Sequence, residues 1–443
     1  MAETNTPYNR KAIWSWAFYD FANSAFTTLV VTFIYATYFT KGIAENETVG
    51  TTQWSIAVTV TAFIVALLSP YMGALADRGG YRRRFLLATT VVGVLGSVAL
   101  FFPQQGQVLL ALTIFTIANV AFEMGMVFYN AYLPDIAPPD KIGRVSGYGW
   151  GLGYIGGLLC LVIALFAFVQ TETPILGFST ENAENVRATN LLVAAWYALF
   201  ALPIFIWVKD RPAPKLPKGE NIIRMANRQL VNTFNEIRNQ YRQILRLLIA
   251  RLIYNDGLIT IFAFGGIYAQ GTFGFTTEDV IVFGIALNVA AGLGALAFGF
   301  LDDIIGGKPT IFISLAGLFA AGLLAVLTTS EALFWVAGIV VGILAGPNQA
   351  ASRSLMGRFV PPDKETEFYG FFAFSGKATS FLGPLLLGQF TLLFDSQRAG
   401  VSTVLLFFVV GALLLRMVDE KEGIALAKRP VDLSGDAEPL GNE

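Results

Sequence analysis

Long apolar stretches alternate with short polar segments along the whole chain. A helix that crosses a membrane needs about 20 mostly apolar residues, and the stretches reach that length without the two-residue alternation of barrel strands. We therefore predict an all-α membrane protein with twelve transmembrane helices. The predicted spans are 14–39, 54–76, 85–102, 108–132, 145–169, 190–208, 246–269, 279–301, 309–328, 332–356, 367–394 and 399–418.

Two polar motifs occur twice, which indicates that the chain consists of two similar halves. The Pro-Pro-Asp-Lys motif at 138–141 returns 223 residues later at 361–364, and the Gly-x-x-x-Asp motif at 73–77 returns at 299–303. Many secondary transporters are built from such repeated halves and hold their substrate between them near the middle of the bilayer. The repeat predicts two pseudo-symmetric six-helix bundles and favours a carrier.

The longest polar segment, 209–245, is predicted to link the first bundle at 1–208 to the second bundle at 246–443, which ends in a polar tail. Its apolar residues recur at three- and four-residue steps, and its arginines fall mainly on another face. Such a basic amphipathic helix suits a membrane surface with anionic head groups. We interpret it as a tether, with a regulatory docking site as the alternative. The apolar positions are Ile223, Leu230, Phe234, Ile237, Tyr241 and Ile244.

Composition restricts the chemistry that the chain can perform. Charged residues make up 14% of the chain, against about 25% in soluble domains, and the net charge of −1 gives no reason to expect a nucleic-acid partner. Cys160 is the single cysteine, so we expect a buried core residue and no structural disulfide. The chain has no histidine, so any proton carrier must be Asp or Glu. We expect no metal or cofactor, and the absence of a nucleotide-binding P-loop motif argues against ATP as the energy source.

The basic residues lie mainly in alternate loops, which predicts the orientation in the membrane. Positively charged loops face the cytoplasm, so both termini and the central linker are predicted to be cytoplasmic in an inner membrane. We see no cleaved signal peptide at 1–11. The predicted cytoplasmic set is Arg78, Arg82, Arg83, Arg84, Lys141, Arg144, the group from Lys209 to Arg242, Arg358, Lys364, Lys421, Lys428 and Arg429. The opposite loops contain Lys41, Arg187 and Arg398.

Polar side chains inside the predicted spans fall on single helix faces. A charged side chain at mid-membrane costs about 2.5–3.5 kcal/mol on insertion scales, so each one needs an explanation. They occur in spans 1, 4, 7 and 10, which would line the cavity of a twelve-helix transporter, and in span 11. The set is Asp20, Asn23, Ser24 and Thr27; Asn119, Glu123 and Asn130; Arg251, Asn255 and Asp256; Gln349 and Arg353; and Lys377. The alternative is that some of these residues join helices without touching a solute.

For the charged members of this set we favour functional roles. Asp20, Glu123 and Asp256 are the candidates to bind a proton or an amine, and Arg251 or Lys377 is the candidate to bind a carboxylate. Glu123 is the first choice as proton carrier, because it lies in mid-span with little polar company in sequence. A pairing with Lys377 would turn it into a fixed ion bridge and make Asp20 the better candidate. The residues expected to orient the solute are Asn23, Asn130, Asn255, Tyr19 and Tyr254.

A glycine-rich turn at 73–83, between spans 2 and 3, is predicted to act as a gate. Its glycines allow close helix approach, and Asp77 can accept hydrogen bonds from a helix N-terminus or an arginine of the opposite bundle. We predict that Asp77, Arg78 and Arg82 hold one end shut. The second copy keeps Asp303 without the arginine cluster, so a weaker lock is expected there. The Asp of each Pro-Pro-Asp-Lys turn is expected to cap the helix that follows.

The same turn, Gly-x-x-x-Asp-Arg-x-Gly-x-Arg-Arg, resembles the loop signature of the major facilitator superfamily. Further stretches are similar to the bacterial branch of the autophagy-related vacuolar effluxer family, and the resemblance covers essentially the whole chain. It implies a twelve-helix facilitator fold and, in the vacuolar members, export of amino acids to the cytosol. The loops here are shorter than in those members, which argues against a role in autophagy. The stretches are Trp16-Ala-Phe-Tyr-Asp-Phe-Ala-Asn-Ser24, Tyr132-Leu-Pro-Asp-Ile-Ala-Pro-Pro139, Gly143-Arg-Val-Ser-Gly147, Gln349-Ala-Ala-Ser-Arg-Ser354 and Ser375-Gly-Lys377.

Two functions remain open from the sequence. The favoured one is a monomeric secondary transporter, a symporter, antiporter or effluxer of a small polar or zwitterionic solute such as an amino acid, with protons as a candidate coupling ion. The alternative is a lipid or amphiphile carrier, since the 38 Phe residues leave room for a wide apolar cavity. An enzyme is disfavoured because no nucleophile is paired with a base, and a channel because no selectivity-filter repeat is present.

Overall fold

The computed structural model describes residues 9–210 and 222–428, and all regular secondary structure within these ranges is helical. π-helical turns at Phe26–Phe33 and Phe39–Ile43 join α1 and α2 into one span. In the first half the helices are α1 (Arg10–Ala25), α2 (Tyr35–Tyr38), α3 (Glu47–Gly79), α4 (Arg82–Ala99), α5 (Val108–Asn130), α6 (Leu133–Ile136), α7 (Ile142–Ala164) and α8 (Glu184–Trp207).

The second half repeats this plan after a linker helix. Its helices are α9 (Ile222–Asn239), α10 (Arg242–Phe273), α11 (Thr277–Ile305), α12 (Gly307–Leu327), α13 (Glu331–Phe359), α14 (Glu365–Lys377), α15 (Leu382–Phe394), α16 (Gln397–Arg416) and α17 (Glu420–Ala427).

Each of the twelve predicted spans corresponds to a helix or to a pair of consecutive helices. Ten helical segments of the described chain are long and apolar enough to cross a membrane. The other two predicted spans are α4, which begins with three arginines, and the α14–α15 pair, which is interrupted between Lys377 and Leu382. The arginines and the interruption reduce the uninterrupted apolar length of these two.

The two halves meet through equivalent helix pairs. In the interface α3 packs against α14, and α11 packs against α7. The sequence repeat relates α3 to α11 and α7 to α14, so the two contacts are versions of one another. This arrangement confirms the predicted pseudo-symmetry of the two bundles.

Glycines on α7 let this helix approach both halves closely. A Cβ on Gly156 would lie 2.2 Å from the carbonyl oxygen of Phe21, and a Cβ on Gly147 would lie 2.5 Å from that of Ala295. Small residues allow such backbone contact between membrane helices, where packing rather than the hydrophobic effect holds them together. Consequently α7 lies wedged between α1 of its own bundle and α11 of the other.

The interior and exterior of the bundles follow the expected division of apolar residues. Cys160 is fully buried in an apolar cluster of the first half, as predicted for a core residue. Large apolar side chains such as Phe63 and Leu109 are exposed on the outside, where a bilayer would cover them. The chain is thus a multi-pass membrane protein.

The linker contains the predicted helix, α9, although its prolines lie outside the described residues. Its buried stripe consists of residues at four-residue steps, Met225, Gln229, Thr233 and Ile237. Phe234, which the sequence pattern placed on the apolar face, is 53% exposed. The buried face is rotated because α9 packs on α3 and because Gln229 bonds to a carboxylate of α14.

Candidate functional site

The end of the molecule that carries α9, here called the linker end, is closed by contacts between the halves. Asp77, near the C-terminus of α3, accepts hydrogen bonds from the backbone N–H groups of Thr366 (3.2 Å) and Glu367 (2.8 Å). These groups begin α14, where free N–H groups and the helix dipole favour a carboxylate. Gly73 permits the approach, because a Cβ there would lie 2.5 Å from the carbonyl oxygen of Thr366.

Asp303 makes the equivalent contact from the second half to the first. Its carboxylate accepts from the backbone N–H groups of Gly143 (2.8 Å) and Arg144 (3.3 Å) and from Nε of Arg144 (2.5 Å). Gly143 and Arg144 begin α7, so this aspartate also caps a helix of the opposite bundle. The sequence predicted a weaker lock for lack of arginines, but Arg144 supplies one from across the interface.

The Pro-Pro-Asp-Lys turns do not cap the helices that follow them. Lys141 and Lys364 occupy the N-cap positions of α7 and α14, and neither helix receives a side-chain cap from its own turn. Asp363 instead adopts a left-handed backbone conformation with φ +68°. The predicted local caps are therefore wrong, because Asp303 and Asp77 provide them from the other bundle.

Arg82, a predicted gate residue, adds ion pairs at the linker end. Its Nη1 lies 2.6 Å from Oδ2 of Asp135, and its Nη2 lies 3.2 Å from Oε2 of Glu365, which belongs to the other half. Asp77 lies 3.8 Å away. The side chain of Arg78, the third predicted gate residue, lies outside the described part of the structure.

Arg353 forms a fully buried polar contact between the halves. Its guanidinium is buried and donates to Oδ2 of Asp20 (2.9 Å), to Oδ1 of Asn130 (3.2 Å) and to the hydroxyl and carbonyl of Ser146. Both predicted solute residues in this group, Asp20 and Asn130, are therefore engaged by Arg353 in this conformation. The rings around the guanidinium belong to Trp16, Tyr129 and Trp150.

Farther from the linker end, Glu123 of α5 pairs with Lys377 of α14. The distance from Lys377 Nζ to Glu123 Oε1 is 2.6 Å, and the two side chains are 29% and 22% exposed. Both residues occupy predicted spans, and neither side chain of the pair is fully buried. The pairing that would disqualify Glu123 as a free proton carrier is thus present.

The polar residues predicted on α10 are tied to α14. Nη1 of Arg251 donates to the carbonyl of Phe372 (2.7 Å) and to the hydroxyl of Ser375 (3.0 Å). Nδ2 of Asn255 donates to the carbonyl of Gly376 (3.1 Å). These bonds attach the middle of α10 to the end of α14 that carries the lysine of the central ion pair.

Other predicted solute residues fill packed positions. Tyr19 is fully buried, and its hydroxyl bonds to those of Thr90 and Tyr197 at 2.8 and 2.9 Å. The hydroxyl of Tyr254 lies 2.8 Å from that of Ser352. Asn23 is buried and donates to the sulfur of Met126 at 3.1 Å. These contacts resemble the interhelical bonding that the sequence left as the alternative.

Asp256 differs from the other buried acidic residues. It is 1% exposed, and neither carboxylate oxygen has a hydrogen-bond partner within the described ranges. Asp20, by contrast, faces Arg353. Nowhere in residues 9–210 and 222–428 do three or more His, Cys, Asp or Glu side chains gather as a metal site would require.

Sequence reasoning assigned no role to Arg353, Glu365 or Ser146. Arg353 was noted as polar within a span, and its partner Asp20 lies 333 residues earlier in the chain. The available signal was that predicted spans 1 and 10 each contain a single charged residue, Asp20 and Arg353, and that these two have opposite signs. Glu365 follows directly after the Pro-Pro-Asp-Lys turn, so its position beside the gate could have been anticipated.

Comparison with known proteins assigns the chain to a family. The family model described as "Vacuole effluxer Atg22 like" matches residues 53–143 and 140–428. The chain is 28% identical over 422 residues to the MFS-type transporter YxiO of Bacillus subtilis, covering 95% of this chain and 97% of that protein. It is 23% identical to autophagy-related protein 22 of Coccidioides immitis, covering 87% of this chain and 74% of the relative.

Solved transporter structures share the fold. The human organic anion transporter MFSD10 superposes with a TM-score of 0.72 at 14% identity, covering 93% of this chain and all of that one. The proton:xylose symporter XylE also gives 0.72, at 13% identity, covering 96% and 98% of the two chains. The chain therefore belongs to the vacuole effluxer Atg22-like family, and it has the twelve-helix fold of major facilitator superfamily transporters.

Proposed function

We propose that this protein is a secondary active transporter that moves a small zwitterionic solute, of the amino acid type, by alternating access. The observation that carries the proposal is the Glu123–Lys377 ion pair. It joins the two halves away from the closed linker end, and both side chains are partly exposed. An ionised side chain at membrane depth requires a partner or a water-filled route to offset its cost.

The pair matches the charges of an amino acid. The ammonium group of a zwitterion can replace Lys377 at the Glu123 carboxylate, while its carboxylate binds Lys377 in turn. One ion pair is exchanged for two, and the site remains electrically neutral, so no isolated charge is left in a region of low dielectric. Arg251, buried without an ion-pair partner within the described residues, is a second candidate for the solute carboxylate.

The linker-end contacts supply the second requirement of alternating access, a closure that can open. Asp77 and Asp303 each join one bundle to a helix N-terminus of the other, and Arg353 joins α13 to Asp20 on α1. A hydrogen bond to a charged group contributes about 1.5–3 kcal/mol, so a few such bonds hold the closed state without making it permanent. Rocking of the bundles would break all three together.

We place the linker end on the cytoplasmic side of the cytoplasmic membrane. The basic residues of the chain lie mainly in the loops at this end, and positively charged loops remain in the cytoplasm. In this orientation the structure is closed to the cytoplasm.

The test is solute exchange in proteoliposomes. Proteoliposomes that contain the purified protein are loaded with single amino acids, and counterflow of the labelled amino acid is measured. A parallel experiment with labelled lysolipid tests the amphiphile alternative. Glu123→Gln and Lys377→Met should each abolish counterflow of the transported amino acid. The matched controls are Glu47→Gln and Lys41→Met, which break an exposed pair at 3.8 Å and should leave it intact. Transport of lysolipid alone, or full counterflow in both site variants, would contradict the proposal.

A further inference from the structure

Asp256 has either a negative charge that no group of the described protein neutralises or a bound proton. It is one of five buried acidic residues of the described chain, and the other four accept from a named donor: Asp20 from Arg353, Asp302 from Arg358, Glu365 from Arg82 and Glu367 from Gln229. Neither oxygen of Asp256 has such a partner among the described residues. A buried, uncompensated carboxylate is costly enough that it acquires a counter-charge or a proton.

The charged groups on the elements around Asp256 are engaged elsewhere or lie toward helix ends. Arg251 bonds to Phe372 and Ser375, Lys377 pairs with Glu123, and α15 contains no charged residue. α10 itself also has Arg242 and Arg246 at its start. Among the side chains that the structure describes, the remaining charged groups on the helices that pack against α10 are Arg398 and Arg416 on α16; Glu331, Arg353 and Arg358 on α13; Glu365 and Glu367 on α14; Glu278, Asp279, Asp302 and Asp303 on α11; Arg228, Glu236 and Arg238 on α9; and Glu420, Lys421 and Glu422 on α17.

The break between α14 and α15 lies directly against Asp256. A Cβ on Gly383 would lie 3.0 Å from the main-chain oxygen of Asp256 and 1.9 Å from the hydroxyl of Thr260, so the start of α15 touches α10 at this residue. Pro384 has no N–H, which deprives the Ser380 carbonyl of its usual helical partner. The break therefore brings a released carbonyl into the segment that packs on Asp256.

A hydroxyl group of the break lies next to the Asp256 carboxylate. Thr379, inside the break, lies within hydrogen-bonding reach of the Asp256 carboxylate, but it donates its one hydroxyl hydrogen to the carbonyl of Leu252 at 3.1 Å. The lone pairs of Thr379 consequently remain available to a ligand. Discontinuous membrane helices in transporters use unwound carbonyls in this way to bind Na⁺ or protons.

We propose that Asp256 and the α14–α15 break form the binding site for a monovalent coupling cation, Na⁺ or H⁺. The inference rests on the proposed transport function and names the ion that drives it. Both candidate ions satisfy the same chemistry, since each places one positive charge on a buried carboxylate that has a neutral hydroxyl beside it. A cation here neutralises the charge that the fold leaves uncompensated.

The site is mechanically connected to the solute pair. Lys377 is the last residue of α14 before the break, and Asn255, next to Asp256, donates to the carbonyl of Gly376 at 3.1 Å. Ordering of the break by a bound cation would therefore fix the position of the lysine that faces Glu123. Ion and solute would bind cooperatively, because Asn255 and Gly376 connect the cation site to Lys377.

The test compares gradient-driven accumulation with counterflow in the same proteoliposomes, under an inward Na⁺ gradient and separately under a pH gradient. Asp256→Asn should retain counterflow and lose accumulation under the effective gradient, which identifies the ion. Asp395→Asn is the matched control, because Asp395 is exposed at the end of α15 and should leave accumulation unchanged. Thr379→Val should reduce the apparent affinity for Na⁺ if that ion is the driver, and it also serves if Asp256→Asn does not fold.

The outcomes separate the two proposals. Wild-type protein that exchanges solute but accumulates it under neither gradient overturns the cation site and leaves the proposed function standing. Wild-type protein that exchanges no solute contradicts the proposed function. The site is then decided in detergent: a melting temperature that responds to Na⁺ or pH in wild type but not in Asp256→Asn supports it, and identical responses overturn it.

Discussion

The guanidinium of Arg353 lies 2.9 Å from the carboxylate of Asp20, and these two buried residues belong to opposite halves of the transporter. Three aromatic rings surround the guanidinium, with the ring of Trp16 centred 4.7 Å from its central carbon. The proposed opening of the linker end would separate this pair and expose both charges to water. The contact therefore sets much of the free-energy difference between the closed and open states.

We predict that Arg353→Gln shifts the protein toward the open linker end. Removing one member of a buried ion pair costs about 3–5 kcal/mol, because the other charge remains buried and uncompensated. Opening would relieve that cost by hydrating Asp20. The measurement is the rate of thiol labelling at Ala350→Cys, a position that is 2% exposed beside the interface. Labelling should accelerate.

The double variant Asp20→Asn/Arg353→Gln provides the control for this prediction. It removes both charges, so labelling should return toward the slow rate of the otherwise unmodified protein. The native Cys160 is buried and contributes little background. Equal labelling rates in all three proteins would show that the pair does not hold the linker end.

The two helix-capping aspartates should act alike. Asp77→Asn and Asp303→Asn each weaken charge-assisted bonds to a helix N-terminus of the other bundle, and each should favour opening by about 1.5–3 kcal/mol. Transport should slow while the solute affinity measured by equilibrium binding stays nearly constant. A variant that loses affinity but cycles normally would contradict the assignment of these residues to the gate.

Glu123→Gln should behave differently from Asp256→Asn. If Glu123 contacts the solute ammonium, its loss removes counterflow and gradient-driven uptake together. If Glu123 were the proton carrier that the sequence favoured, counterflow would survive and only the proton-driven component would vanish. Measuring both activities in one preparation distinguishes the two roles, and a surviving counterflow would return the coupling role to Glu123.

Gly147→Ala should destabilise the interface between the halves. The added methyl group would lie 2.5 Å from the carbonyl oxygen of Ala295, and overpacking of this kind costs about 1–3 kcal/mol. Gly388→Ala is the matched control, since a Cβ there meets nothing within 4 Å. A lowered melting temperature for Gly147→Ala, with no fall for the control, is the expected result. Equal melting temperatures would mean that α7 and α11 separate without cost.

The sequence predicted the spans, the repeat and a polar contact at Asp77 because these depend on local patterns. Apolar length determines a span, and a glycine-rich turn with one carboxylate indicates a close polar contact. It could not predict that the cap of α7 comes from Asp303, since the turn itself contains Asp140 and local capping was the simpler expectation. The outcome depends on how the bundles approach each other.

The same limit applies to the polar residues within the spans. The possible pairing of Lys377 with Glu123 was foreseen as one alternative, because both were charges at similar depth. The role of Arg353 was missed, since no local pattern reveals which of several buried acids an arginine will meet. Only the tertiary structure shows that Asp256 lacks a donor while the other four buried acidic residues of the described chain have one.

The central claim is that the linker end opens and closes during transport, and a distance measurement tests it most directly. Spin labels at Asp140→Cys in the first half and Lys421→Cys in the second occupy exposed positions at this end. Double electron–electron resonance in lipid should give a single population of short distances between the two labels in the protein without solute. Addition of the transported amino acid, or the Arg353→Gln substitution, should add a longer population. A single unchanged distance distribution under both conditions would contradict the account.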